Sequence, residues 1–346
     1  MTLLSQTGSR APQTGRDFLA IETVELIKTY GSGQNQVRAV DGVNLKVERG
    51  HIYALLGPNG AGKTTTISIL TTLIPPSGGQ GRVAGFDVVT QADEVRQLIG
   101  VTFQETVMDK ALSGRDALIV HGRLYHMPKN EIKEQVEELV KLVELEEAID
   151  RPVKTYSGGM KRRLELARGL MTGPEVLFLD EPTLGLDPHN RDRIWTYIQK
   201  LRAEQGLTIL LTTHYMDEAE QLADRVGIID AGRIVAEGTP QELISSMGAD
   251  VVTVEGSGAT ERFVAALKQR EFVAWANIYQ PEEGEAEPTT LGGTQVQIGL
   301  NDQAGRSLRP IIELAEQSGY LVADIAIKRP SLNDVFLKLT GRRLRD

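Results

Sequence analysis

Residues 57–64 read GPNGAGKT, set between the apolar run IYALL (52–56) and the helix-forming segment TTISILTTL (65–73). This is G-x-x-x-x-G-K-[ST] in the strand–loop–helix context that the pattern requires. The glycines let backbone amides approach phosphates, Lys63 neutralises β/γ charge, and the Thr64 hydroxyl can ligate Mg²⁺. The nucleotide-binding set read from this loop is Gly57, Pro58, Asn59, Gly60, Ala61, Gly62, Lys63, Thr64 and Thr65.

The flanking sequence supplies the rest of an α/β fold. Ile21–Lys28 alternates like a strand, and RVAGFDVV and IGVTFQE read as further short strands. SGGQGRVAG (77–85) is glycine-rich but leads into a strand rather than a helix, and reads as a turn. Asp116–Tyr125, Lys129–Leu145 and Asn190–Gln205 read as helices, the middle one with a charged, solvated face. EVLFLDEP and TILLTTH are buried apolar strands between helices, which indicates a mostly parallel sheet covered on both faces.

The pattern changes near Gly248. From there strands and helices follow the order βαββαβ of the ferredoxin-like split βαβ unit, with a last short helix in PSLNDVFLKLTG. Between its middle strands lies QPEEGEAEPTTLGG, an acidic Pro/Gly-rich stretch that reads as a mobile loop. The expected organisation is a flexible polar tail over 1–18, an α/β domain over 19–247, and an α+β accessory domain over 248–346 with its acidic loop at 280–293.

Two further stretches carry chemistry. VLFLDEP places Asp180 at the end of an apolar strand, where an acid is costly unless it serves a cation. Asp180 is therefore expected to hold Mg²⁺, as in the Walker B element of P-loop NTPases. Glu181 is placed to orient and deprotonate an attacking water. KTYSGGMKRRLELARGL (154–170) opens with Ser157, Gly158 and Gly159 ahead of a basic amphipathic helix, so its N–H groups and dipole point at some anion. One chain thus carries two anion sites.

A phosphate loop, a Ser-Gly-Gly signature and then Asp-Glu about twenty residues on resemble the nucleotide-binding subunit of an ABC transporter, over roughly Ile21–Leu243. The resemblance implies a P-loop NTPase domain with a helical subdomain at about 105–172. It also implies a dimer, because in this family the signature faces the γ-phosphate held by a second subunit's loop. Carried over residue by residue, Tyr30 in KTYGSG matches the aromatic that stacks on adenine. Gln104 in VTFQE matches the glutamine that senses Mg²⁺ and the attacking water and adjoins the membrane-subunit contact. Asp187 in LGLDP matches the loop that crosses the dimer interface, and His214 in LTTHYMDEAE matches the histidine that touches the γ-phosphate. His51, His121, His126 and His189 match no role and read as structural or exposed. Tyr156 stands where leucine is usual, and Met160 where glutamine is usual. Met160 cannot make the amide hydrogen bond, which puts a contact to the partner's ribose in doubt.

The phrase LGPNGAGKTTTISILTTLIPPSGGQGRVAGFDV, the variant YSGGM and the closing IKRPSLNDVFLKLTG resemble the daunorubicin-resistance type of ATP-binding subunit. That type implies ATP and Mg²⁺ as cofactors, a second ATP-binding subunit (the same chain or a homologue), and a separate ABC-2 type membrane subunit. It implies export of a drug, lipid or glycan, from the cytoplasmic face of the plasma (inner) membrane. Two alternatives stay open: an importer subunit with a regulatory C-terminal domain, and a soluble ABC ATPase acting on ribosomes or DNA. Against the second stand a single cassette and the lack of room between Thr65 and Leu179 for a long coiled coil.

Bulk properties agree. The 346 residues are 40% hydrophobic, enough for two or three domains with a sizeable core. A net charge of −9 argues against a nucleic-acid partner. The absence of cysteine removes disulfides and thiolate chemistry. The N-terminus lacks the plan of a secretory signal. No apolar run nears the ~20 residues of a membrane helix, so a membrane role would depend on a partner.

Overall fold

The computed structural model describes residues 19–31, 36–103, 108–248, 250–279, 294–301 and 304–340. The tail at 1–18, Gln104 and the acidic loop at 280–293 lie outside the described residues.

The first strands are β1 (Ile21–Tyr30) and β2 (Val37–Val47), followed by β3 (Ile52–Leu56) and helix α1 (Lys63–Leu70). Next come β4 (Gly78–Val83), β5 (Phe86–Asp87), α2 (Ala92–Leu98) and β6 (Ile99–Thr102). An antiparallel sheet of order β2-β1-β4-β5 flanks the nucleotide loop. Here the structure corrects the sequence reading: the glycine-rich stretch read as a turn is mostly strand β4. Its backbone pairs with β1, which is flanked on both sides. Gly79 sits at φ +74 beside a register shift, where an added Cβ would lie 2.0 Å from the Glu25 carbonyl oxygen. Glycine is thus placed for a bulge and a close backbone approach.

Three helices follow: α3 (Gly114–Leu124), α4 (Lys129–Leu142) and α5 (Gly158–Leu170). They share buried side chains, among them Leu118, Ile132, Val136, Leu139 and Leu164. The α3 N-terminus is capped by Ser113, which accepts from Asp116 N–H. Then come β7 (Val176–Asp180), α6 (Pro188–Gln205), β8 (Thr208–Thr213), α7 (Met216–Leu222), β9 (Arg225–Asp230), β10 (Arg233–Gly238) and α8 (Pro240–Ser245). The central sheet runs β10-β9-β3-β8-β7-β6, parallel except for the β9–β10 hairpin. Every residue of β3, β7 and β8 is buried, as expected for strands covered on both faces. Alternation divides them between two cores: Ile52, Ala54 and Leu56 face one, Tyr53 and Leu55 the other.

The remaining elements are β11 (Asp250–Gly258), α9 (Thr260–Leu267), β12 (Val273–Tyr279), β13 (Thr294–Leu300), α10 (Ala304–Ser318), β14 (Tyr320–Lys328) and α11 (Leu332–Thr340). Their antiparallel sheet has the order β12-β13-β11-β14, which is how a βαββαβ chain arranges its strands when the first and third pair at the centre. Val252, Val254, Val296 and Ile298 face Phe263, Leu267 and Ile311 of the two helices. Helix α11 does something the order of elements does not announce. Leu332, Val335 and Phe336 are buried in the same core as the central sheet. The Leu332 N–H donates to Glu220 Oε1 on α7 (2.8 Å), and Lys338 Nζ donates to the Ser246 carbonyl beside α8 (3.3 Å). Trp275 of β12 joins them, its Nε1–H on the Met247 carbonyl at 3.0 Å.

Candidate functional site

The loop after β3 is shaped by its neighbours. Gly62 has φ +107, and a Cβ there would lie 2.4 Å from the Ala39 carbonyl oxygen. α1 begins at Lys63, so its first N–H groups have no intrahelical acceptor and meet the loop with the positive end of the helix dipole. Lys63 Nζ bends back to the carbonyls of Gly57 (2.7 Å) and Pro58 (3.1 Å). It lies 3.4 Å from Glu181 Oε1. Burial pulls the Lys63 pKa down, while Glu181 and Asp180 act the other way.

Asp180, at the end of β7, accepts hydrogen bonds from the hydroxyls of Thr212 and, at 3.3 Å, Thr64. These two hard oxygen ligands beside a phosphate loop suit Mg²⁺, which takes one or two protein oxygens and completes its shell with water and phosphate. Glu181 has φ +48, a left-handed backbone for a side chain that rarely adopts it. Its N–H donates to Thr212, and its carboxylate lies between Lys63 and His214, whose Nδ1 is 3.4 Å from Oε2. Burial alone would push the Glu181 carboxyl up. His214 and Lys63 outweigh it, and the pKa lies below the ordinary value. Lys63, Thr64, Asp180, Glu181 and His214 are thus brought together.

A second group of residues gathers at the head of α5. Ser157 caps the helix, accepting from Met160 N–H at 3.3 Å. Gly159 packs so tightly on α6 that an added Cβ would lie 2.7 Å from Asn190 Oδ1. Asn190 in turn donates through N–H and Nδ2 to the Asp187 carboxylate, which caps α6. Those two bonds hold the Asp187 carboxyl below its ordinary pKa. Arg191, next along α6, donates to the Leu186 carbonyl at 3.2 Å and lays its guanidinium 4.0 Å from the Tyr215 ring, which meets the His214 ring at a tilt, centroids 4.1 Å apart. Among the described residues, no hydrogen bond or ion pair joins Ser157, Gly158 or Gly159 to the phosphate loop of the same chain. Tyr30 ends β1 half-exposed, with Lys28 Nζ 5.4 Å from its ring centre. Gln104 is outside the described residues.

Sequence reasoning missed several residues. The segment after the signature reads as a basic amphipathic helix, with no role assigned to its arginines, yet Arg162 and Arg163 are both buried. Arg162 donates to the carbonyls of Phe103, Asp180, Glu181 and Pro182 at 2.6–2.8 Å. Arg163 donates to those of Val143 and Glu144, both at 2.9 Å. Glu218 of α7 is fully buried, its Oε1 accepting from Thr183 and Trp195; burial pushes its pKa up. His121 lines a cleft with Phe103, Tyr125, Arg168 and Leu73, and burial pulls its pKa down to about 4.

A phosphate loop, a strand-end Asp-Glu pair and a histidine beyond the next strand, on this sheet order, define an ATP-hydrolysing cassette. A family model described as ABC transporter matches residues 40–184. Over 322 residues the chain is 42% identical to the daunorubicin/doxorubicin resistance ATP-binding protein DrrA of Streptomyces peucetius, covering 93% of this chain and 92% of that one. It is 37% identical over 340 residues to the Nod factor export ATP-binding protein I of Ralstonia nicotianae, covering 97% and 98% respectively. The ATP-binding cassette MJ0796, solved as a dimer in a post-hydrolysis state with ADP and Pi, matches at 26% identity with a TM-score of 0.58, over 63% of this chain and 98% of that one. The chain belongs to the ATP-binding subunits of ABC transporters, ATPases whose turnover is coupled to transport.

Proposed function

We propose that the chain is the ATP-hydrolysing subunit of an exporter, dimerising on ATP through composite sites and driving a separate ABC-2 type membrane subunit. The observation that carries this reading is the convergence of Lys63, Glu181 and His214 beside the Thr64–Asp180 pair. In it, Glu181 orients the attacking water and accepts its proton, while Lys63 and His214 stabilise charge on the transferring phosphoryl group. Thr64 and Asp180, with Gln104, would hold Mg²⁺, which when bound supplies positive charge against the phosphate oxygens. Tyr30 would stack on adenine. Ser157, Gly158 and Gly159 would cap the γ-phosphate on the partner's loop, with Asp187 at the dimer interface.

ATP bridging two subunits favours a closed dimer, and hydrolysis removes the bridge. That difference in affinity is the work available to a membrane partner. Among the described residues no helix is long and apolar enough to cross a membrane. The cleft lined by Leu73, Phe103, His121 and Tyr125 is where the membrane subunit would dock; Leu73 (59%) and Tyr125 (45%) expose apolar surface there. The chain would sit on the cytoplasmic face of the inner membrane, as an ATP-binding domain over 19–247 and an accessory domain over 248–346. The drug-resistance and Nod-factor relatives favour a drug, lipid or glycan as cargo.

The test is affinity purification of tagged Glu181→Gln protein with ATP from gently solubilised native membranes. The expected outcome is a trapped dimer with a polytopic membrane protein of about six spans, and ATP turnover reduced about 10²–10⁴-fold. Recovery of ribosomal or DNA-associated proteins with nothing polytopic would overturn the exporter reading.

A further inference from the structure

Successive residues on a helix point about 100° apart, so Arg162 and Arg163 leave α5 toward different neighbours. Arg163 reaches the end of α4. Arg162 turns to the catalytic strand; besides a 3.4 Å contact to the buried Glu165 carboxylate on its own helix, its four shorter bonds end on backbone carbonyls: Phe103, where β6 leads into Gln104, and the consecutive residues Asp180, Glu181 and Pro182. A planar guanidinium with five N–H donors can serve these acceptors together; an ammonium, with three donors at one point, cannot.

The carbonyls include that of the one described residue of the site with a strained backbone. Glu181 is held at φ +48, a conformation that persists only where its surroundings over-determine it. Thr212 fixes its N–H from one side and Arg162 its carbonyl from the other. A relaxed backbone there would swing the carboxylate away from Lys63 and His214.

We propose that Arg162 is a positioning residue for ATP hydrolysis: by tying the 180–182 backbone and Phe103 to the signature helix, it aims Glu181 only when α5 is seated. The proposal rests on the reading of Glu181 as the group that orients water. It has a consequence for the dimer. The N-terminal end of the same helix carries Gly159 and, as its cap, Ser157, which face the partner's nucleotide in that reading. One rigid helix therefore reports occupancy of the partner's site to the chain's own Glu181.

The test compares the full-length wild type with Arg162→Lys and Arg162→Met, alone and in the Glu181→Gln background. Steady-state hydrolysis, Mg-ATP affinity by a fluorescent analogue, and thermal melts are read in parallel. A misplacement of about 1 Å can cost about 100-fold. Arg162→Lys is expected to lower kcat about 10–100-fold with KM and nucleotide affinity held within about twofold. In the Glu181→Gln background the same change should reduce the residual rate less than about twofold, because the group it positions is already gone. A kcat within about twofold of wild type overturns the proposal, as does an equal loss in both backgrounds. So does failure of both Arg162 variants to fold, which would make the residue a determinant of the fold. Glu181→Gln alone separates the two readings. Wild-type turnover there removes the site assignment, whereas an inactive Glu181→Gln with a silent Arg162→Lys removes only the positioning role.

Discussion

Lys63, Glu181 and His214 lie buried side by side; burial would raise the Glu181 carboxyl, and His214 and Lys63 outweigh it. The Glu181 carboxyl titrates below its ordinary value, so its pairing contributes stability above the unfolded pKa of about 4.3 and loses it as pH falls through the lower folded value. The unfolding free energy of wild type relative to Glu181→Gln should therefore stay level from pH 7 to about 5 and fall below about pH 4. Urea titrations of both proteins across that range check it; a difference already drifting between pH 7 and 5 would mean that another group carries the dependence. At this scale much of the site was legible in sequence. A lysine after a glycine loop, or an acid ending an apolar strand, has few uses other than phosphate and cation. Arg162 was not legible, because a basic run reads as solvated surface. Its burial depends on four carbonyls converging from segments 18 to 59 residues away.

Tyr156 shows how a departure from the common signature is accommodated within an element. Its ring is buried among α3, α4 and α5, and its hydroxyl donates to the Ala148 carbonyl at 2.7 Å. The space is made by Gly114, where a Cβ would lie 2.5 Å from that hydroxyl and 3.0 Å from Ile149 Cδ1. Tyr156→Phe should cost about 1 kcal/mol by removing one buried hydrogen bond, while the Ala148 carbonyl keeps the bond from the Arg151 N–H. Gly114→Ala should cost about 1–3 kcal/mol by overpacking, and the double variant should recover part of the second loss. Chemical denaturation of the three proteins measures this; an unaltered Gly114→Ala would show that the helices part without cost. Helices and buried strands were readable from apolar spacing. β4 was not, since a strand rich in glycine is specified by the neighbour it pairs with, here β1, more than by its own side chains.

Across the whole molecule, the strand order of the second half followed from its element order, because βαββαβ leaves few ways to pair four short strands. The docking of α11 did not follow. An amphipathic helix states that one face will be covered without stating by what. Phe336 is fully buried in the core shared with the central sheet. Phe336→Ala should therefore destabilise the protein by about 3–5 kcal/mol and lower the melting temperature of the nucleotide-binding part along with the rest. Melts with and without ATP analogue test this. A first transition confined to the accessory part, with the ATP-stabilised one unmoved, would show the two to be energetically separate.

The return of α11 also sets an order of events during synthesis. The face formed by α7 and α8 is translated about 90 residues before the helix that covers it, which at ribosomal speed is roughly 5–20 s. For that interval a nascent chain with its nucleotide loop already made presents an uncovered apolar face. That face stays open to other apolar surfaces until translation has passed Phe336 and the helix can close over it.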